Sequence, residues 1–328
     1  MAHNIQLRDI QTGNEMAWHK LTKVEKDITA QNCGIYYGME MRDLYFSNGK
    51  DLVLGNGRQI VSLDDGLPVG RAVGKDYQLI ANVEIWDTVK NALEGTKHSV
   101  VSCGTVANRS LGFVSVKVSD DFIAAGRNTQ SVMNVIWGHG GNKSVIGRSG
   151  FTVVVCENTL NMAMAEKSDF KLSIRHTAKA NVLDLGRAIE AHIGVEAEFK
   201  LAMNHLHAID ATPSVARKIY AGFVSGGVTP ETKTGISRFN NTVDRMAELF
   251  QHGKGNSGRT MADVLNGATD YYSHESSGGA GNPWKQFSSS EFGSGNIRKT
   301  EFAGLLSDSV QRLETVRHGE SVLSALGE

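Results

Sequence analysis

Proline and cysteine are both scarce: 4 and 3 of 328 residues. So few prolines exclude stiff proline-rich linkers, and the 36 glycines must supply most of the turn punctuation. Cys33, Cys103 and Cys156 lie far apart and form no CxxC pair, which argues against a disulfide framework or a structural zinc site and fits a reducing compartment. No apolar run approaches the ~20 residues a membrane-spanning helix needs; residues 151–156 are among the longest. The amino terminus, MAHNIQLRDI, has no apolar stretch behind a basic one and is not a secretion signal. The expectation is a protein of the cytoplasm with no membrane association. An excess of one charge is missing too, the net charge being −1. Residues 122–180 are the exception, with seven basic side chains against three acidic, enough for a local anion-binding surface.

What is present first reads as strands. Two Asn-Gly pairs, Asn48-Gly49 and Asn56-Gly57, sit between short apolar stretches. Such pairs are hairpin signals, because both central residues of a type I′ turn need positive φ. Residues 69–80 continue the pattern. Asn82 is placed to cap a helix over 83–93, where Ile85, Trp86, Val89 and Leu93 recur at helical spacing and Gly95 closes. Strands are expected over 98–107, 111–118, 132–137 and 151–156, the last two joined by 138–143. From about residue 181 the spacing turns helical, over 181–207, 211–223, 241–250, 261–272 and 301–316. A Gly/Ser-rich loop is expected over 276–290. The fold class is α+β, a mostly antiparallel meander of hairpins followed by helices. The simplest division is a β-rich core with the basic segment over 1–180 and a helical region over 181–328.

Five groups of residues are candidates for chemistry. Residues 127–148 contain Arg127, His139, Lys143 and Arg148 and no acidic residue; a glycine-rich loop with such cations suits phosphate oxygens. Trp137 offers a face for stacking on a base, against the plainer role of a core residue. Arg175, His176 and Lys179 precede a long helix, where they form either an anion site or a salt-bridged connector. Gly293-Ser294-Gly295 followed by Arg298 and Lys299 is a weak phosphate-loop pattern, lacking GxxxxGK[ST] spacing and a preceding strand. Cys156 with His176 forms a nucleophile–base pair in principle, but a thiol ending an apolar strand is more often inert. His139, Cys156, His176 and His274 lack metal-ligand spacing, and His205 and His207 are two apart on a helix, on different faces. Neither a cofactor nor a metal is expected.

Several segments together resemble the phage/plasmid-like protein family, a domain of unknown function on mobile elements. They are Met1-Ala2-His3 with Ala17-Trp18-His19, Cys156 to Asn161, Ile174-Arg175-His176-Thr177, Asn266 with Thr269-Asp270-Tyr271-Tyr272 and His274-Glu275, and Phe292-Gly293-Ser294-Gly295 with Lys299. The chain departs at Lys20, where the family usually shows glycine, and in a more elaborate hairpin region. The resemblance implies a phage-type setting in which single-strand annealing proteins, built on a β-meander with a helix and assembled as rings, are common. The expected function is therefore non-sequence-specific binding and annealing of single-stranded DNA in recombination or replication, by a homo-oligomer, with Arg127, Trp137, His139, Lys143, Arg148, Arg175, His176, Lys179, Arg298 and Lys299 on the nucleic acid. The rival is a protein that blocks a host defence or regulatory protein; an enzyme is the weakest reading.

Overall fold

A computed structural model describes residues 10–13, 23–25, 28–31, 34–47, 49, 51–106, 109–140, 145–153, 158–161, 173–174, 185–276, 289–290 and 293–327. The fold is α+β, with antiparallel sheets preceding a run of helices. Two compact units share the chain in alternation. The first comprises Met1–Ser119, Val132–Ser149 and Ser168–Ile193; the second comprises Asp120–Ser131, Gly150–Lys167 and Gly194–Glu328. The expected single boundary near residue 180 is thus replaced by an interleaved one, because two stretches of the strand region belong with the helices.

In the first unit, β1 (Ile10–Gly13) pairs in parallel with β2 (Lys23–Glu25) and antiparallel with β6 (Ser99–Val106). The meander continues from β6 to β7 (Leu111–Lys117) and on to β9 (Arg127–Gly138), whose residues 132–138 lie in this unit. Helix α1 (Asn82–Leu93) presents Ile85, Trp86 and Val89, which join Val114, Val116 and Val135 in one buried cluster. Its N-cap is Ala81, without a side-chain cap; Asn82, expected as the cap, is instead turned inward and buried. Cys103 on β6 is also buried and is disulfide-bonded. The expectation of unpaired thiols is corrected here: a disulfide requires only that two Cα atoms come within roughly 4.4–6.8 Å in the fold, whatever their spacing in sequence.

A separate three-stranded sheet runs β3 (Met39–Ser47), β4 (Leu52–Ser62), β5 (Val73–Gly74). The turn at Gly49, with φ +93°, answers the first Asn-Gly signal. The second signal is not a turn. Asn56-Gly57 lies inside β4, where three residues oppose the single Leu44 between the pairs Asp43↔Arg58 and Tyr45↔Leu54. Glycine is as much at home in such a bulge as in a hairpin loop, and the Phe46 ring crosses within 2.9 Å of where a Gly55 Cβ would stand.

In the second unit, β8 (Phe122–Ala124) pairs with the start of β9, and β10 (Val145–Val153) pairs through residues 150–153 with β11 (Asn158–Asn161). The helices are α2 (Leu185–His207), of which residues 194–207 lie in this unit, α3 (Pro213–Ser225), α4 (Lys233–His252), α5 (Met261–His274), α6 (Ser294–Ser307) and α7 (Ser309–Ala325). Phe151 stacks on Phe199 at a centroid distance of 4.0 Å, with Phe122 edge-on at 6.3 Å to each. The single helix expected over 301–316 is two, broken at Asp308, whose side chain accepts from Val310 N and Gln311 N and so starts α7 afresh. Helices α3 and α7 meet at Gly222 and Gly319: a Cβ on Gly319 would overlap the carbonyl oxygen of Lys218, and one on Gly222 that of Thr315. Gly319→Ala is therefore expected to cost about 1–3 kcal/mol by overpacking, read as a lower chemical-denaturation midpoint; an unchanged midpoint would show that the helices slide apart freely.

Candidate nucleic-acid interface

Arg127 begins β9 rather than a loop, and its side chain is 7% exposed. Its guanidinium forms an ion pair with Asp263 and donates to Gly255 O (2.9 Å) and Asn256 Oδ1 (3.2 Å). Asp263 is the N3 residue of α5 in a capping box with Thr260; it also accepts from Ser257 Oγ (2.7 Å) and from the backbone N–H of Arg259 (3.0 Å). Burial alone would raise the Asp263 carboxyl, but the Arg259 N–H, the Ser257 hydroxyl and the Arg127 charge outweigh it and hold the group below its ordinary value of 3.8. Every contact of Arg127 thus ties β9 to the start of α5. It is not available to a phosphate, which corrects its place in the expected set.

Trp137 and His139 are corrected for the same reason. Trp137 is fully buried, its ring lies across Gly112 of the paired strand, and its Nε1 donates to Asn82 Oδ1 at 2.7 Å. The same oxygen sits 2.6 Å from His139 Nε2 and, being acceptor-only, assigns the proton to that nitrogen. A buried amide serving two aromatic donors is a structural hub of the first unit. Close by, Gly70 has φ +71°, and any Cβ there would overlap the His139 carbonyl oxygen. A stacking or phosphate role would require both side chains to leave the core.

Arg109, which the sequence reading passed over, belongs to the same unit. It adopts φ +64°, uncommon for a residue other than glycine. Its guanidinium lies 4.8 Å from the Tyr37 ring centroid, donates to Ser62 Oγ (2.9 Å) and pairs with Asp65 (3.0 Å). Burial pushes the Tyr37 phenol up to about 12, against the opposing pull of Asn82 and the Arg109 charge. A left-handed residue held by stacking and two side-chain bonds is a clasp between the β6–β7 turn and the β4 region. The only sequence signal was its place between two strands.

Of the remaining expected cations, Lys143, Arg175, His176 and Lys179 lie outside the described residues. Arg148 is on β10. Within the first unit, β10 pairs antiparallel with β12 (Ser173–Ile174) through Val145↔Ile174 and Ile146↔Ser173. The described pair therefore ends two residues after Lys143 and one before Arg175. In sequence, the stretches 143–148 and 171–179 that contain the two paired segments hold Lys143, Arg148, Lys171, Arg175, His176 and Lys179 and no acidic residue. Lys171 was not among the expected site residues.

In the second unit, Arg298 and Lys299 on α6 part company. Arg298 is exposed, pairs with Glu301 at 3.2 Å and lies 5.5 Å from the Phe223 ring centroid. Lys299 is fully buried and donates to Ser273 Oγ (3.2 Å) and Ser290 Oγ (3.0 Å), so it is withdrawn from the set. The Gly293-Ser294-Gly295 turn is satisfied from within: Ser289 Oγ accepts from Gly295 N at 3.1 Å. Cys156 lies outside the described residues, as does His176. His139 is buried in the Asn82 hub and His274 sits 3.7 Å from Asp270. Among the described residues no group of three or more His, Cys, Asp or Glu side chains could hold a metal ion, and no helix is long and apolar enough to cross a membrane.

Against known proteins, a family model described as a domain of unknown function (DUF932) matches residues 71–315. No curated protein and no solved structure matches the chain.

Proposed function

The chain belongs to the DUF932 family, a family defined without an activity, and on that footing we propose that it binds the phosphate backbone of single-stranded nucleic acid without reading sequence. The observation that supports this is the Val145↔Ile174 pairing, which joins the two segments where the positive charge of a near-neutral chain is concentrated. Several cations contributed by two stretches of chain suit a flexible strand better than a compact anion, since each contact neutralises one phosphate and releases its counterion. Annealing in recombination or replication, on a phage or plasmid and in the cytoplasm of its host, is the setting this reading implies. The Cys103 disulfide is the exception to that setting, because thiol pairs in such a compartment are usually kept reduced. Arg127, Trp137, His139 and Lys299 are left out of this reading; the cations proposed to meet phosphate are Lys143, Arg148, Lys171, Arg175, His176 and Lys179.

The test is a salt series with the full chain and a long single-stranded oligonucleotide, followed by fluorescence anisotropy. Lys143→Glu with Arg175→Glu is expected to weaken binding about 10–100-fold at low salt and to flatten the salt slope by roughly two, one for each cation removed. Duplex of the same length should bind more weakly. Absence of any complex at low salt, or a double variant that binds like the parent, would turn the surface toward the rival role of contacting an acidic host protein.

A further inference from the structure

The β3–β4 hairpin outruns the core that supports it. Near its base, Met39 and Met41 pack against Ile60, Val69, Val73 and Tyr77. Beyond the Gly55-Asn56-Gly57 bulge no such cluster lies beneath it among the described residues, yet the side chains remain apolar. Tyr45 is 57% exposed, Phe46 60%, Leu52 73%, Val53 43% and Leu54 58%. The pairs Tyr45↔Leu54 and Phe46↔Val53 are consecutive along the ladder, so they point to opposite faces and both faces of the tip are apolar. Together these five leave roughly 500 Å² of largely apolar surface in water, divided between the two faces.

The backbone edges are open as well. β5 pairs with β4 only at Gly57 and Arg58, so the outer side of β4 from Leu52 to Asn56 meets no described strand, and neither does the outer side of β3. Exposed edges are normally guarded by charge, proline or a covering element, because they otherwise pair with another chain. Residues 44–57 contain no proline, and their charged residues, Lys50 and Asp51, cancel.

We infer that this hairpin tip is the contact between two copies of the chain. A stable interface buries about 800 Å² on each partner; one apolar face of the tip supplies part of that, and a shared strand edge adds backbone area and hydrogen bonds. A two-fold contact presents the same patch from both sides, and a patch with no net charge meets its own copy without repulsion. An acidic or basic partner would find nothing on the tip to select it. The inference does not rest on the nucleic-acid reading, and its test needs no nucleic acid.

Light scattering of the full chain alone, at tens of micromolar, is expected to give a multiple of the chain mass. Leu52→Lys with Val53→Lys should raise the dissociation constant at least tenfold and move the peak to a single chain, with the helical circular-dichroism signal retained. Tyr45→Ser with Phe46→Ser, which adds no charge, reads the same contact should the lysine variant fail to fold. A monomeric parent protein, or folded variants of both kinds that keep the parent's mass, would overturn the inference.

Discussion

Asp263→Ala should lower the unfolding free energy of the helical unit by about 3–5 kcal/mol, the usual cost of leaving one member of a buried ion pair without the other. The stranded partner is Arg127, 7% exposed, while the start of α5 loses its capping box and Ser257 its acceptor. Asp263→Asn keeps the shape and some acceptors and should fall between the alanine variant and the parent. The pair also has a pH signature. The folded carboxyl titrates below its ordinary value of 3.8, so its contribution is complete above that value and disappears as the pH falls through the lower folded value. Denaturant melts from pH 6 downward should show the parent losing an increment that Asp263→Ala has already lost. Parallel curves for the two proteins would mean that Arg127 and Asp263 do not interact in solution as they do here.

Trp137→Ala should be the costliest change in the first unit, about 3–5 kcal/mol for emptying a large, fully buried site. Asn82 Oδ1 would keep only His139 as a donor. The informative comparison is with nucleic acid: the folded fraction should bind single strands as the parent does, because the indole stacks on Gly112 rather than on a base. A variant that folds normally and loses binding would put the indole back on the nucleic acid. Trp137→Phe, which keeps most of the ring but not the Nε1 donor, separates the cavity from the lost hydrogen bond.

The class of the fold was legible because periodicity is local. Alternation over 111–118 marked a strand, and helical spacing at Ile85, Trp86, Val89 and Leu93 marked the buried side of a helix; β7 and α1 form there, although β7 is buried on both faces. Charge was less informative, because a positive side chain in sequence does not say whether a carboxylate waits for it. Arg127 was paired by a residue 136 positions away, which no window on the sequence could reveal. Lys299 was hidden by the same kind of distant packing. Asn82 illustrates a third limit. Its position at a helix start suggested a cap, but β9 delivers Trp137 and His139 to it, and a tertiary partner displaced the local role. The convergence at Val145↔Ile174 depends on a strand of two residues, too short to leave a periodic trace.

The alternation of the chain between its two units bears on how the protein is made. Arg127 leaves the ribosome long before Asp263, and at about 5–20 residues per second the interval is roughly 7–27 s. During it the strand that carries Arg127 has emerged, but the helix that neutralises the charge has not been synthesised. Residues 120–131 and 150–167 must wait outside any finished structure while 132–149 and 168–193 complete the first unit. Neither half of the gene therefore encodes a self-sufficient product, and dividing it near codon 180 would strand Arg127 on one fragment and its counterion on the other.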